Sequence, residues 1–138
     1  MVHSEQKTVA TRGQGDAHDV TTLVSGAVAD AGIRAGIVTV SVVGSTAGIT
    51  TIEFEPGAIG DLNRVFEALA PREGDYDHHR RWGDDNGSSH VRAALLGPSL
   101  TLPVVDGHVV LGTWQQIMLL EFDTRPRRRE IVIQVMGE

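Results

Sequence analysis

Tyr76, Asp77, His78, His79, Asp84, Asp85, Asn86 and His90 fall within fifteen residues of one another. Imidazoles and carboxylates with no thiolate among them suit zinc or another divalent cation. They also suit the movement of a proton. The eleven residues between His78 and His90 fit no compact zinc signature, so a solvated acidic loop with surface or hydrogen-bonded histidines explains the same composition. A helical stretch begins near Ser88 or Ser89 and stops at Gly97. Its first amides are free donors, and its dipole favours an anion. Arg92, early in that stretch, has the fork geometry to clamp a phosphate. Ordinary serine capping, with Arg92 paired to Asp84 or Asp85, accounts for it equally well.

Three further segments carry polar groups at suggestive positions. Gly44 to Glu53 (GSTAGITTIE) is a glycine- and hydroxyl-rich turn between apolar runs, a type that can present amides to phosphate. No Gly-Lys-Ser/Thr follows, so it is not a Walker A loop. Glu53 sits between Ile52 and Phe54 in an expected strand; facing inward it needs a partner, as a general base, a metal ligand or half of a cross-strand ion pair. In Gly112-Thr113-Trp114-Gln115, Trp114 could stack on a flat heterocycle while Thr113 and Gln115 bond its edges. The alternative is a core or interface tryptophan. Arg125 and Arg127 to Arg129 read as a solvated strand entrance. There is no nucleophile elbow, no cysteine and no dinucleotide fingerprint.

The elements that must position these groups can be read from periodicity. Val20, Leu23, Val24, Ala27, Val28 and Ala31 recur at helical spacing, which predicts a helix over Asp19–Ala31. The β-branched run 36–43 and the segment Ile49–Glu55 read as strands. Leu62, Val65, Phe66 and Leu69 predict a helix that starts near Gly60 or Asp61 and stops at Pro71. Residues 72–87 read as a long polar loop. Asp106-Gly107 predicts a hairpin between Leu100–Val105 and His108–Leu111, and strands are expected over Trp114–Phe122 and Glu130–Val135. The resulting order, β-α-β-β-α-loop-α-β-β-β-β, predicts an α+β fold with antiparallel or mixed sheets. The 138 residues suit a single domain, 1–138. A net charge of −6 argues against a nucleic-acid partner. No apolar run is long enough to span a membrane, and a soluble cytoplasmic protein is expected.

Several motifs resemble those of the YjbQ-like family, also called the secondary thiamine-phosphate synthase enzyme family. The family's C-terminal signature matches Ser99 to Val104, Gly107, Gly112-Thr113-Trp114-Gln115 and Ile117. Its D-N-x-x-x-H pattern matches Asp85 to His90 and runs on to Leu95-Leu96-Gly97. Tyr76-Asp77-His78 and Thr46 to Glu53 match two more of its patterns. The resemblance implies an α+β domain with a β-sandwich-like core and flanking helices, assembled as a homotrimer. It implies an enzyme joining a pyrimidine diphosphate to a thiazole phosphate with release of diphosphate. Expected catalytic residues are His90, Asp85, His78 and Glu53. Expected ligand- or phosphate-binding residues are Arg92, Ser89, Asn86, Thr46, Tyr76, Thr113 and Gln115. Asp84, Asp85 and Glu53 are available to hold Mg²⁺, and His78 and His90 are the expected ligands for a metal such as zinc. The competing expectation is a non-catalytic trimeric binding protein for a phosphorylated metabolite or divalent metal. Two positions depart from the family: Gly44 and Ser88 stand where many members carry histidine.

Overall fold

The computed structural model describes residues 1–138. Strands β1 (Val2–Ala10) and β2 (Ala17–Asp19) precede helix α1 (Thr21–Ala31). Strands β3 (Ala35–Val43) and β4 (Ala47–Ile52) follow, then helices α2 (Pro56–Leu69), α3 (Asp77–Trp82) and α4 (Gly87–Leu96). The chain closes with β5 (Ser99–Val105), β6 (His108–Val109), β7 (Gln116–Glu121) and β8 (Arg128–Gly137). One sheet has the order β1-β8-β3-β5-β6 and the other β2-β7-β4. Every strand pair is antiparallel. The α+β expectation holds, with no parallel pairing.

Side-chain alternation explains the layering. In β8, Ile131, Ile133 and Val135 are fully buried while their neighbours are not, as expected of a strand with one face on a core. β7 is buried on both faces. Ile117 and Leu119 enter the main core with Val24, Ala27 and Val28 of α1 and the inward residues of β3 and β8. Met118 and Leu120 point the other way, into a smaller core with Phe66 of α2, Ala93 of α4 and Phe122. The small sheet is therefore a middle layer, with the large sheet and α1 on one side and α2 and α4 on the other.

Several boundaries differ from expectation for local reasons. α2 starts at Pro56, because the Glu55 carboxylate accepts from the amides of Gly57 (2.7 Å) and Ala58 (2.8 Å). Proline suits the first helical position. Glu53 is not in a strand: β4 ends at Ile52, and Glu53 is exposed. The expected loop 72–87 contains α3, which ends where Gly83 turns left-handed (φ 64°). Asn86 holds the N-cap position of α4 without a side-chain capping bond, its Oδ1 accepting from the Thr124 amide instead (3.2 Å), and Ser88 and Ser89 lie inside the helix. β7 starts at Gln116, leaving Trp114 71% exposed in the turn before it. β2 is too short to show a period. No helix is long and apolar enough to cross a membrane.

Ile133 is fully buried where β8 meets the main core. Ile133→Ala is expected to lower unfolding free energy by about 2–5 kcal/mol, read as a shifted denaturant midpoint.

Candidate functional site

Charges are buried where the two sheets meet. Glu121 ends β7 and Arg129 lies near the start of β8; both are buried. Arg129 donates from Nε to Glu121 Oε1 (2.7 Å) and from Nη2 to Glu121 Oε2 (2.5 Å) and Thr46 Oγ1 (2.6 Å). Glu121 also accepts from the Thr11 hydroxyl (2.6 Å) and the Asp123 amide (3.1 Å). Asp123, with none of its surface exposed, accepts from the Arg125 amide (3.0 Å), Thr46 Oγ1 (2.9 Å) and Arg127 Nε (3.0 Å). Burial alone would raise the Asp123 pKa. The Arg125 amide, Thr46, Arg127 and the Asn86 side chain outweigh it and bring the carboxyl down to about 2.

This network forms one wall of a cleft of about 330 Å³. Arg125, Arg127 and Arg129 alternate along the chain and all line it, as do Ser45, Thr46 and Asn86. Arg129 spends Nε and Nη2 on Glu121 and Thr46. Its Nη1 lies toward Gly44, 2.6 Å from where a Cβ on that glycine would stand. His90 and Asp84 line the cleft as well. The His90 ring packs on His78, with centroids 4.5 Å apart. His78 Nδ1 is 3.2 Å from Asp84 Oδ1, close enough for an ion pair but too poorly aligned for a hydrogen bond, and that nitrogen is buried without a partner. The Asp84 carboxyl is held below its ordinary range chiefly by the Asn86 amide, then, against the opposing effect of burial, by the charge of His78 and His90. The cleft thus holds three guanidiniums, two of them paired with the buried carboxylates Asp123 and Glu121, together with the His90 imidazole, against which His78 packs.

The chain matches the model of the family described as UPF0047 protein YjbQ-like over residues 5–138. It belongs to the YjbQ-like UPF0047 family. A UPF0047 protein of Methanothermobacter thermautotrophicus is 37% identical over 137 residues, covering 99% of this chain and 94% of the relative. The UPF0047 protein sll1880 of Synechocystis is 34% identical, with 99% and 92% covered. A crystal structure of a YbjQ-like protein of unknown function from Sulfolobus solfataricus superposes with a TM-score of 0.92 at 31% identity, covering 100% of this chain and 99% of that one. A hypothetical protein from Aeropyrum pernix gives a TM-score of 0.87 at 30% identity, with 98% of each chain covered.

The YjbQ-like fold gathers some of the expected site residues and disperses others. His90, Asn86 and Thr46 line the cleft, and His78 backs it. Asp85 does not face His90. Its backbone is left-handed (φ 57°), and its carboxylate lies 3.0 Å from His79 Nδ1 in a separate polar cavity of about 520 Å³ shared with Arg72. Asp84 holds the place beside the histidines that was expected for Asp85. Glu53 is exposed and does not line the cleft. Arg92 is only 4% exposed: Nε donates to the Ala70 carbonyl (2.9 Å) and Nη2 to Glu67 (2.6 Å), so it ties α4 to α2 instead of holding a phosphate. Ser89, fully buried, donates to the Phe122 carbonyl (2.5 Å). Tyr76 donates to the Pro71 carbonyl (2.6 Å) and lies against Gly87. Gln115 accepts from the Gly112 amide (2.9 Å) and donates to Thr51 (3.2 Å), pinning the turn that carries exposed Thr113 and Trp114. The G-T-W-Q signature is therefore a structural turn outside the cleft.

Arg125, Arg127 and Arg129 form the cationic wall that the sequence reading left as a solvated strand entrance. The detectable signal was their spacing of two residues, which places alternate side chains on one face of an extended segment. Gly44 borders the cleft and puts no side chain into it. Ser88, the other departure, is buried in α4 with its hydroxyl unpartnered.

Two variants probe the buried network. Glu121→Ala leaves Arg129 buried without its main partner, and a loss of about 3–5 kcal/mol is expected in chemical denaturation. The depressed pKa of Asp123 means that its ionised form stabilises the fold at neutral pH. That contribution is lost as pH falls from about 5 toward 2. Asp123→Asn is expected to be less stable at pH 7 and to lose less stability on acidification, measured as the denaturant midpoint across that range.

Proposed function

We propose that the cleft binds the phosphate or diphosphate of a small metabolite and that the chain acts as a transferase of the thiamine-phosphate synthase type. The observation that carries this reading is the set of three alternating arginines lining one cleft with His90, against which the His78 ring packs. Arginine matches phosphate oxygens in geometry and keeps its charge. In the proposed reaction the bond from the pyrimidine methylene carbon to the diphosphate oxygen breaks. Diphosphate departs with the electron pair, and the thiazole nitrogen forms the new C–N bond. Arg125 and Arg127, with Arg129 Nη1, neutralise the leaving group, and His90 stands where it can protonate it. His78 and Asp84 position and polarise His90.

No step of this reading is routed through a divalent metal; no three His, Asp or Glu side chains of the chain converge to hold an ion by themselves, and a Mg²⁺ held by substrate phosphates and one carboxylate such as Asp84 would serve the same leaving group. The homotrimer implied by the resemblance remains part of the proposal and is tested by light scattering. Arg92 serves as a contrast: it is buried, its guanidinium is committed to Ala70 and Glu67, and it does not line the cleft.

Purified protein given both thiamine precursors is expected to release diphosphate. Arg127→Ala and His90→Ala should each reduce turnover at least tenfold, while Arg92→Lys should change stability more than turnover. Diphosphate binding that Arg127→Ala weakens, without turnover of any phosphate ester, would support the binding-protein alternative instead.

A further inference from the structure

The largest cavity of the chain, about 520 Å³, lies outside the cleft and has no hydrophobic residue in its lining. The two share a wall. Asp84 and Asn86 line the cleft while Asp85 lines the cavity; Asp123 and Arg125 line the cleft while Thr124 lines the cavity. The Asn86 side chain accepts from the Thr124 amide (3.2 Å) and so ties the two segments of that wall together.

The cavity presents unpaired charge of both signs. The Arg72 guanidinium forms no ion pair or hydrogen bond within the chain. Its Nη2 reaches to 3.2 Å from where a Cβ on Gly15 would stand, in space which that glycine leaves open. Glu73 is also without a partner. Asp85 is held in left-handed backbone (φ 57°), which is uncommon away from glycine and recurs at ligand clamps. Its amide donates to His79 Nδ1 (3.2 Å), so the imidazole carries its proton on Nε2. Asp85 Oδ1 lies 3.0 Å from the same Nδ1. Two acceptors at that distance, served by one amide, call for a further donor between them.

The geometry points to a binding site for a small zwitterion, a free α-amino acid with a short or polar side chain. Its carboxylate pairs with Arg72, whose fork matches two oxygens, with the Gln14 amide and the Thr124 hydroxyl beside it. Its ammonium supplies the missing donor between Asp85 and His79, with Glu73 as a second counter-charge. The charges decide the class. One guanidinium against two carboxylates is unfavourable to a phosphate dianion. A simple amine leaves Arg72 unpaired, and a simple carboxylate leaves Asp85 and Glu73 unpaired. A molecule carrying both charges meets all three. A large hydrocarbon side chain gains nothing in a lining without apolar residues. The volume falls within the range of small-molecule sites, about 300–1,000 Å³. The site is independent of what the cleft binds.

Calorimetric titration of the full chain with glycine, serine and glutamine, and separately with acetate and methylamine, tests the site. At least one of the three amino acids should bind about tenfold more tightly than acetate or methylamine, because only a zwitterion uses both halves. Arg72→Gln and Asp85→Asn should each weaken that binding about tenfold. Asparagine tolerates left-handed backbone, so the second variant removes the charge and keeps the local conformation. Arg125→Ala, on the cleft side of the wall, should leave the affinity within about twofold of the unmodified chain. Acetate binding as tightly as the amino acids, binding lost in Arg125→Ala, binding that survives both Arg72→Gln and Asp85→Asn, or absence of binding by all three amino acids would each overturn the site.

Discussion

The constraint on which the rest of the structure depends is the burial of Arg129 against Glu121. One partner belongs to the large sheet and the other to the small one. A charge taken out of water is tolerated only when its hydrogen-bonding capacity is met. Thr11, Thr46 and the Asp123 amide are recruited to complete the set. That requirement draws the end of β1, the turn before β4 and the segment between β7 and β8 to one point. Asp123 repeats the arrangement two residues on and holds the Arg125 backbone amide and the Arg127 guanidinium. The cationic wall of the cleft follows from how the sheets are held together.

This coupling bears on how specificity arises. A guanidinium anchored through two of its nitrogens cannot swing away, so Arg129 presents its remaining face in one orientation. Preorganised charge is worth more to a reacting anion than a flexible lysine of equal charge, because little reorganisation is needed when the anion arrives. Lys7 is the only lysine of the chain, and the cleft relies on arginine throughout.

Much of the fold was legible in the sequence. The helical spacing from Val20 to Ala31, the β-branched run of β3 and the Asp106-Gly107 hairpin each report a local preference that agrees with the tertiary structure. The extent of α2 was less legible, because its start depends on a carboxylate cap at Glu55 that lies outside the apolar repeat. α3 escaped notice because it buries no residue and so leaves no hydrophobic period. In the site, His78 and His90 stood out by type, and the fold does bring them together. Arg92 and Ser89 hold backbone carbonyls in the fold, and in sequence a buried polar group that does so looks the same as one that awaits a ligand. The arginine run was undervalued for the opposite reason: its partners, Glu121 and Asp123, are carboxylates within apolar sequence whose burial only the fold reveals.

The place of β8 has a consequence for how the molecule comes together. It lies between β1 and β3, pairing Val2 with Met136 on one side and Val43 with Glu130 on the other. Until this strand arrives, β1 has nothing to join it to β3 and the rest of the large sheet. During synthesis β1 leaves the ribosome far ahead of its only neighbour, and an unpaired edge is a template for mispairing. A topology dominated by such distant contacts folds slowly compared with a helical bundle of equal size. Its alternating charged and polar residues, among them Glu5 and Lys7, lower the risk that the waiting strand pairs with another chain.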